Sequence, residues 1–465
     1  MSAASRLDFE TQKNGFRLLL EQGLQVSAND QIVVLHDETM APYLRALVSA
    51  IVTRDLSAAF INIPKIHQEY LCAKMLVQPN QLWLPQPLVT ALNTSTVIIN
   101  VLNGDIATAP VRRAILALQR SGSSRLAHIP GLSDDILAIT GQTDFEAVYA
   151  ASELVAWALG NGQCAELRTF DHAGNEHCLG FDLGGWDNEP LMSPGIIVPG
   201  SWGNFPPGET FCCPDPPSVN GTVCINGSVP NYVMKPPEEV VLQFESGYLT
   251  KWMGNAFDGG GHSFFNEQQR AARMLGDKNW NILCELGIGL NAAVKNLTGN
   301  GLFDEKMAGT VHVAIGDNTA FGHNVEASIH ADLVVKNPSL LIDGTTIIDR
   351  GDLCADAIRQ MREAWNPPAT SIPENLVLRV KAAELKVRSE LLNRRLCKGN
   401  RLGFVQMANI SRSRALAGLL HVLVHGEPIT AGQFVGQYPT FEGYRTEELL
   451  AILQHYRCLN KSFGG

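Results

Sequence analysis

The chain has 465 residues, 45% of them hydrophobic and 18% charged, enough apolar material at this length to fill two or three domain cores. The formal net charge is −10, from 36 basic and 46 acidic residues, and Lys and Arg are not gathered into a stripe, which argues against a nucleic-acid partner. No apolar stretch approaches the ~20 residues that span a bilayer, and the polar stretch 1–10 lacks the apolar region of a signal peptide, so no membrane role and a cytoplasmic location are expected.

The first 160 residues alternate helix and strand. Helical spacing covers 11–23, 41–52, 109–119 and 146–159. Between them lie short runs at 32–35, 58–63, 96–101 and 125–129, apolar at nearly every position, as strands sandwiched between helices are. This predicts a parallel, Rossmann-like α/β domain over 1–160. No GxGxxG follows the first strand and no Walker lysine is present, so nucleotide binding is not assigned.

Near residue 160 the pattern changes to strands joined by tight turns. Strands at 165–171 and 176–182 flank Ala173-Gly174-Asn175. Asn220-Gly221, Ser246-Gly247 and Asp343-Gly344 each read as a two-residue hairpin turn. A β-rich, antiparallel domain is therefore expected over 161–365. The proline-rich stretch 366–373 then reads as a linker, and 374–397, 415–425 and 446–459 as helices of a C-terminal extension over 366–465. The ten cysteines form no CxxC pair and no zinc-finger spacing, and read as reduced thiols.

Candidate chemistry sits on the β-rich segment. In Gly309-Thr310-Val311-His312-Val313-Ala314-Ile315-Gly316, the apolar residues Val311, Val313 and Ile315 share one face and His312 takes the other with Ala314. His330 and Asp332 are two apart and share a face. Imidazole beside carboxylate suits a divalent transition metal. Either segment alone is more commonly structural. Glu209 follows Pro206-Pro207-Gly208, a type II turn pattern, where a solvated turn charge is the ordinary reading. Glu285 lies inside the otherwise apolar Ile282–Gly289 run, and a carboxylate there demands a cation or hydrogen bonds.

Taken in order, the segments NFPPGETF, CELGIGLN, DEKMAGTVHVAIGDN and SIHADLV resemble those of the M29 aminopeptidase family, the aminopeptidase T type, over roughly residues 160–350. The resemblance implies two divalent ions (zinc, cobalt or manganese) held by Glu209, Glu285, His312, His330 and Asp332. It implies a hydrolase, an aminopeptidase acting on a peptide or small amide through metal-activated water, with Glu209 and Glu285 as its catalytic carboxylates and a homodimer as its assembly. The interval from His312 to His330 is shorter than in that family and holds no tyrosine, Thr319 or Phe321 standing near the tyrosine position.

The 2,5-dihydroxypyridine 5,6-dioxygenases resemble a branch of the same fold that binds one Fe(II) through His, His and Asp. In that branch a histidine stands where this chain has Glu285, and the histidine matching His312 is lacking. Three readings follow: a metallo-aminopeptidase or related amide hydrolase, a non-haem iron ring-cleaving dioxygenase, and a non-catalytic peptide-binding relative. His262 and His323 are further loop histidines whose ordinary reading is solvent-exposed or supporting.

Overall fold

The computed structural model describes residues 7–77, 84–103, 111–112, 114–115, 124–183, 190–197, 199–254, 261–319 and 323–364, with short pieces between 377 and 450. Strand β1 (Ile32–His36) pairs in parallel with β2 (Ala58–Asn62) on one side and β3 (Val97–Val101) on the other, and β3 with β4 (Arg125–His128). Period two explains why these runs are apolar throughout. Ile32, Val34, Val97 and Ile99 enter one core with helices Phe9–Leu18 and Leu44–Val52. Val33, Leu35, Ile98 and Leu126 enter a second core with helices Lys65–Val77 and Gln86–Thr94. The sheet is thus covered on both faces, as predicted. Strand β2 is its edge, so Phe60 is left 37% exposed despite its apolar run.

The helix expected at 11–23 ends its regular part at Leu18 and continues as a π turn, Leu19–Gly23. Of the helix expected at 109–119, residues 111–112 and 114–115 are described, and they are helical. Helix Phe145–Asn161 leads into the second half, with Phe145 in the first core and Val155, Ala158 and Leu159 in the core of the antiparallel sheets.

Beyond it come β5 (Cys164–Phe170), β6 (Glu176–Asp182), β7 (Leu191–Ser193) and β8 (Trp202–Asn204). Strand β8 returns to the first sheet and pairs in parallel with β4, giving the order β2-β1-β3-β4-β8. The remaining strands are β9 (Glu209–Cys212), β10 (Asn220–Ile225), β11 (Ser228–Val229), β12 (Tyr232–Val233), β13 (Val240–Glu245) and β14 (Tyr248–Met253). They are followed by β15 (Leu283–Gly289), β16 (Thr310–Gly316), β17 (His330–Lys336), β18 (Ser339–Ile342), β19 (Thr345–Asp349) and β20 (Asp352–Leu353). They form two antiparallel sheets, β14-β13-β10-β6-β5-β18-β19-β20 and β12-β11-β17-β16-β15-β9-β7. The sheets bury one common core: Leu167, Leu179, Val223 and Leu242 from one, and Leu286, Ile288, Val311, Val313 and Leu333 from the other.

Three of the four expected turns form. Gly174, Ser246-Gly247 and Asp343-Gly344 take positive φ between antiparallel partners. Asn220-Gly221 does not turn the chain. Both residues lie inside β10, paired with β6 and β13. Gly221 is required for close approach: a Cβ there would lie 2.2 Å from the Cys178 carbonyl oxygen.

Of the C-terminal extension, Val377–Leu378 pairs with Ile429–Thr430, and Ala431–Gln437 is helical. The helices expected at 374–397, 415–425 and 446–459 lie almost wholly outside the described residues. No helix among the described residues is long and apolar enough to cross a membrane.

Candidate metal centre

Four neighbouring strands, β9, β15, β16 and β17, carry the five predicted side chains. Register places Asp332 and Glu285 on either side of Ala314, His312 opposite Gly287, Glu209 opposite Gly289, and His330 opposite Gly316. Cross-strand partners share a face, so all five lie on the face turned away from the sandwich core. A β-bulge between Leu283 and Glu285 makes this possible. Leu283, Leu286 and Ile288 all point into the core. Without the extra residue, Glu285 would share the face of Leu283. Small residues make room for the larger ones. The His312 ring lies directly over Gly287, where a Cβ would be 2.1 Å from its Nε2 and Cε1.

The five groups meet. His312 Nε2–H donates to Glu285 Oε1 at 3.2 Å and is 3.6 Å from Glu209 Oε1. His330 Nε2 lies 3.2 Å from both Glu285 Oε2 and Asp332 Oδ1. Its other nitrogen, Nδ1–H, donates to the Asp317 backbone oxygen at 2.7 Å, which leaves Nε2 as the ring nitrogen turned to the carboxylates. Asp317 is itself held by Thr319 and the Ala327 N–H. The shortened loop therefore aims His330, and Thr319 serves the loop.

Two residues that sequence reasoning missed complete the cluster. Lys306 is only 1% exposed; its ammonium pairs with Glu209 Oε2 and is 2.5 Å from Glu305 Oε1. Glu305 also lies against His312 and Asp332. Both follow the short helix Gly301–Asp304, whose buried Asp304 is anchored by Ser228, Thr298 and Gly299. The signal was the charged Asp304-Glu305-Lys306 run just ahead of the His312 strand. Local pattern shows such a run as a solvated turn.

Among the described residues three carboxylate–imidazole groups within 4.8 Å result: Glu209 with Glu285 and His312; Glu285 with His330 and Asp332; and Glu305 with His312 and Asp332. Glu285 belongs to two of them. The first group is deep, its side chains at most 4% exposed; the second opens outward, with His330 at 28% and Asp332 at 14%. His330 borders a cavity of about 350 Å³ lined also by Tyr232, Phe264, Glu267 and Ile329.

Burial and charge oppose one another here. Burial favours the neutral His312 ring, but the Glu285 hydrogen bond and the charges of Asp332, Glu285 and Glu209 raise its pKa to about 9. His330 is raised in the same way against its burial, by Cys284 and Asp332. Burial pushes Glu285 and Asp332 up, yet the two histidines outweigh it and hold both carboxyls below their usual range. Burial and the neighbouring Glu209 push Glu305 up. Burial would discharge Lys306, but Glu209 and Glu305 keep it protonated.

This donor set fits divalent cations. Glu285 Oε2 and Asp332 Oδ1 are buried without a completed hydrogen bond. Buried lone pairs left open in this way are costly unless a cation takes them up. Mixed imidazole and carboxylate donors match zinc, cobalt, manganese or iron. Of the further histidines, His323 belongs to none of the three groups; its backbone N–H donates to Asn318. The His262 side chain and Phe321 lie outside the described residues.

The family model of the 2,5-dihydroxypyridine 5,6-dioxygenases (NicX) matches residues 15–355. Among solved structures, the 2,5-dihydroxypyridine dioxygenase of Pseudomonas putida KT2440 is similar, with TM-score 0.56 and 16% identity over 75% of this chain and 98% of that one. AmpT of Thermus thermophilus is similar with TM-score 0.50 and 14% identity, over 75% of this chain and 100% of that one. A search of curated proteins finds no match. The chain shares its fold with both a 2,5-dihydroxypyridine dioxygenase and AmpT, an M29 aminopeptidase, and, with the family model covering well over half its length, it belongs to the NicX family.

Proposed function

We propose that this chain is a two-metal hydrolase that removes N-terminal residues from peptides or cleaves a related small amide. One observation carries the reading: Glu285 divides its carboxylate, Oε1 toward His312 and Oε2 toward His330, and so belongs to two donor groups at once. That is the arrangement expected of a carboxylate bridging two cations. Glu209 and His312 would hold the deeper ion, and His330 and Asp332 the outer one. Bound divalent ions would supply Lewis acidity toward a carbonyl and lower the pKa of water toward neutrality.

The chain's own residues do the rest. His330 stands at the open end beside the cavity, so the scissile group enters from that side. Lys306 pairs with Glu209 Oε2 and fixes that side chain, which makes Glu209 a ligand. Glu305 sits next to Asp332 at the same end and is the carboxylate best placed to receive the proton of an attacking water.

A second reading, ring cleavage with one Fe(II) held by His330, Asp332 and Glu285, is favoured by the family model. Metal analysis of the purified protein with peptide and ring-cleavage assays separates the readings. Two divalent ions per chain, and release of N-terminal residues from short peptides that stops with chelator and returns with zinc, cobalt or manganese, support the hydrolase. One iron, with oxygen uptake on 2,5-dihydroxypyridine, overturns it. A protein taking up no metal is left as a binding relative.

A further inference from the structure

A buried lysine inside an acidic metal centre needs a reason, since its charge repels the cations the centre would hold. Lys306 takes one oxygen from each of two carboxylates, Oε2 of Glu209 and Oε1 of Glu305. What remains of Glu209 is Oε1, 3.6 Å from His312 Nε2. Glu285 is split by its own position, one oxygen toward each histidine. Each of these carboxylates therefore presents a single oxygen to any one cation. Calcium takes six to eight oxygens and readily uses both oxygens of one carboxylate, whereas zinc is satisfied by about four nitrogen and oxygen donors.

We propose that Lys306 is a metal-selectivity residue: by occupying one oxygen each of Glu209 and Glu305 it forces single-oxygen coordination and tunes the centre to small, nitrogen-preferring divalent ions against calcium. Lys306 acts through the two carboxylates, and so is a positioning residue. The inference rests on the two-ion reading above.

The test uses the full chain stripped of metal. Zinc and calcium dissociation constants are measured by competition with a fluorescent chelator, for wild type, Lys306→Met and Lys306→Gln. Freed of the ammonium, Glu209 gains a second ligating oxygen and the site gains one negative charge. The ratio of calcium to zinc dissociation constants should fall at least tenfold in both variants, mainly through tighter calcium binding. A lysine that only supports the fold would weaken both ions together and leave the ratio within twofold of wild type, and that result overturns the proposal. A wild type that binds no divalent ion sinks the two-ion reading itself, which keeps the two failures distinct. Should neither variant fold, a crystal structure of zinc-loaded wild type decides. Glu209 coordinating through Oε1 alone, with Oε2 still on Lys306, upholds the proposal, and two-oxygen coordination overturns it.

Discussion

If His312 holds a metal as proposed, protons and metal ions compete for it. In the metal-free protein the acidic groups around it raise its pKa to about 9, and a metal takes only the neutral ring. At pH 7 the ring is thus about two pH units below its midpoint, and freeing it costs about 2.7 kcal/mol, a factor of about one hundred in affinity. The perturbation is pH itself. Zinc affinity, measured between pH 7 and 9 against a chelator buffer with free ion held known, should rise by at least one log unit per pH unit. The sign follows from linkage. A raised histidine pKa stabilises the protonated, metal-free state at low pH, and that advantage fades as pH climbs through 9. Proton release on zinc addition, followed by calorimetry in buffers of different ionisation enthalpy, should fall over the same window. Affinity that is flat or falling from pH 7 to 9 would show that His312 does not ligate, and the deep site would have to be abandoned.

Two further substitutions probe the frame. Gly287→Ala places a methyl 2.1 Å from the His312 ring edge; the ring must leave its place, and zinc capacity should drop by one ion per chain while the far-ultraviolet dichroism is kept. Capacity unchanged would mean that His312 is not needed where it stands. In the α/β half, Asp30 accepts from Ser27 and Thr96 and pairs with Arg125. Burial pushes its pKa up, but these partners outweigh it and bring it to about 2 from 3.8. A depressed carboxylate stabilises the fold above its unfolded pKa and loses that contribution as pH falls through about 2, here about 2.5 kcal/mol. Asp30→Asn should cost roughly that much at pH 7 in denaturant unfolding, and its stability should vary less between pH 4 and 2; a variant as stable as wild type at pH 7 counts against the pairing.

Local pattern carried a large part of this protein. Continuous apolar runs announced a sheet covered on both faces, because alternate residues of β1 and β3 feed two separate cores. Period two placed His312 opposite Val311 and Val313, and put His330 and Asp332 together, because side-chain alternation along a strand is set by the backbone alone. What it could not supply was the partner of each strand. The order β17-β16-β15-β9 and its registers arise from contacts between segments far apart in the chain, and they alone set Glu285 between the two histidines. The bulge after Leu283 reverses the phase that strict alternation would assign to Glu285. Asn220-Gly221, a turn by its own chemistry, is drawn into a strand by β6 and β13 on either side. Strand β8, separated from the α/β half by a hairpin and helix Phe145–Asn161, rejoins the first sheet beside β4. Glu305 and Lys306 read as surface charge until the fold buries Lys306 between Glu209 and Glu305. Burial of a charge depends on everything that surrounds it, which no short window of sequence contains.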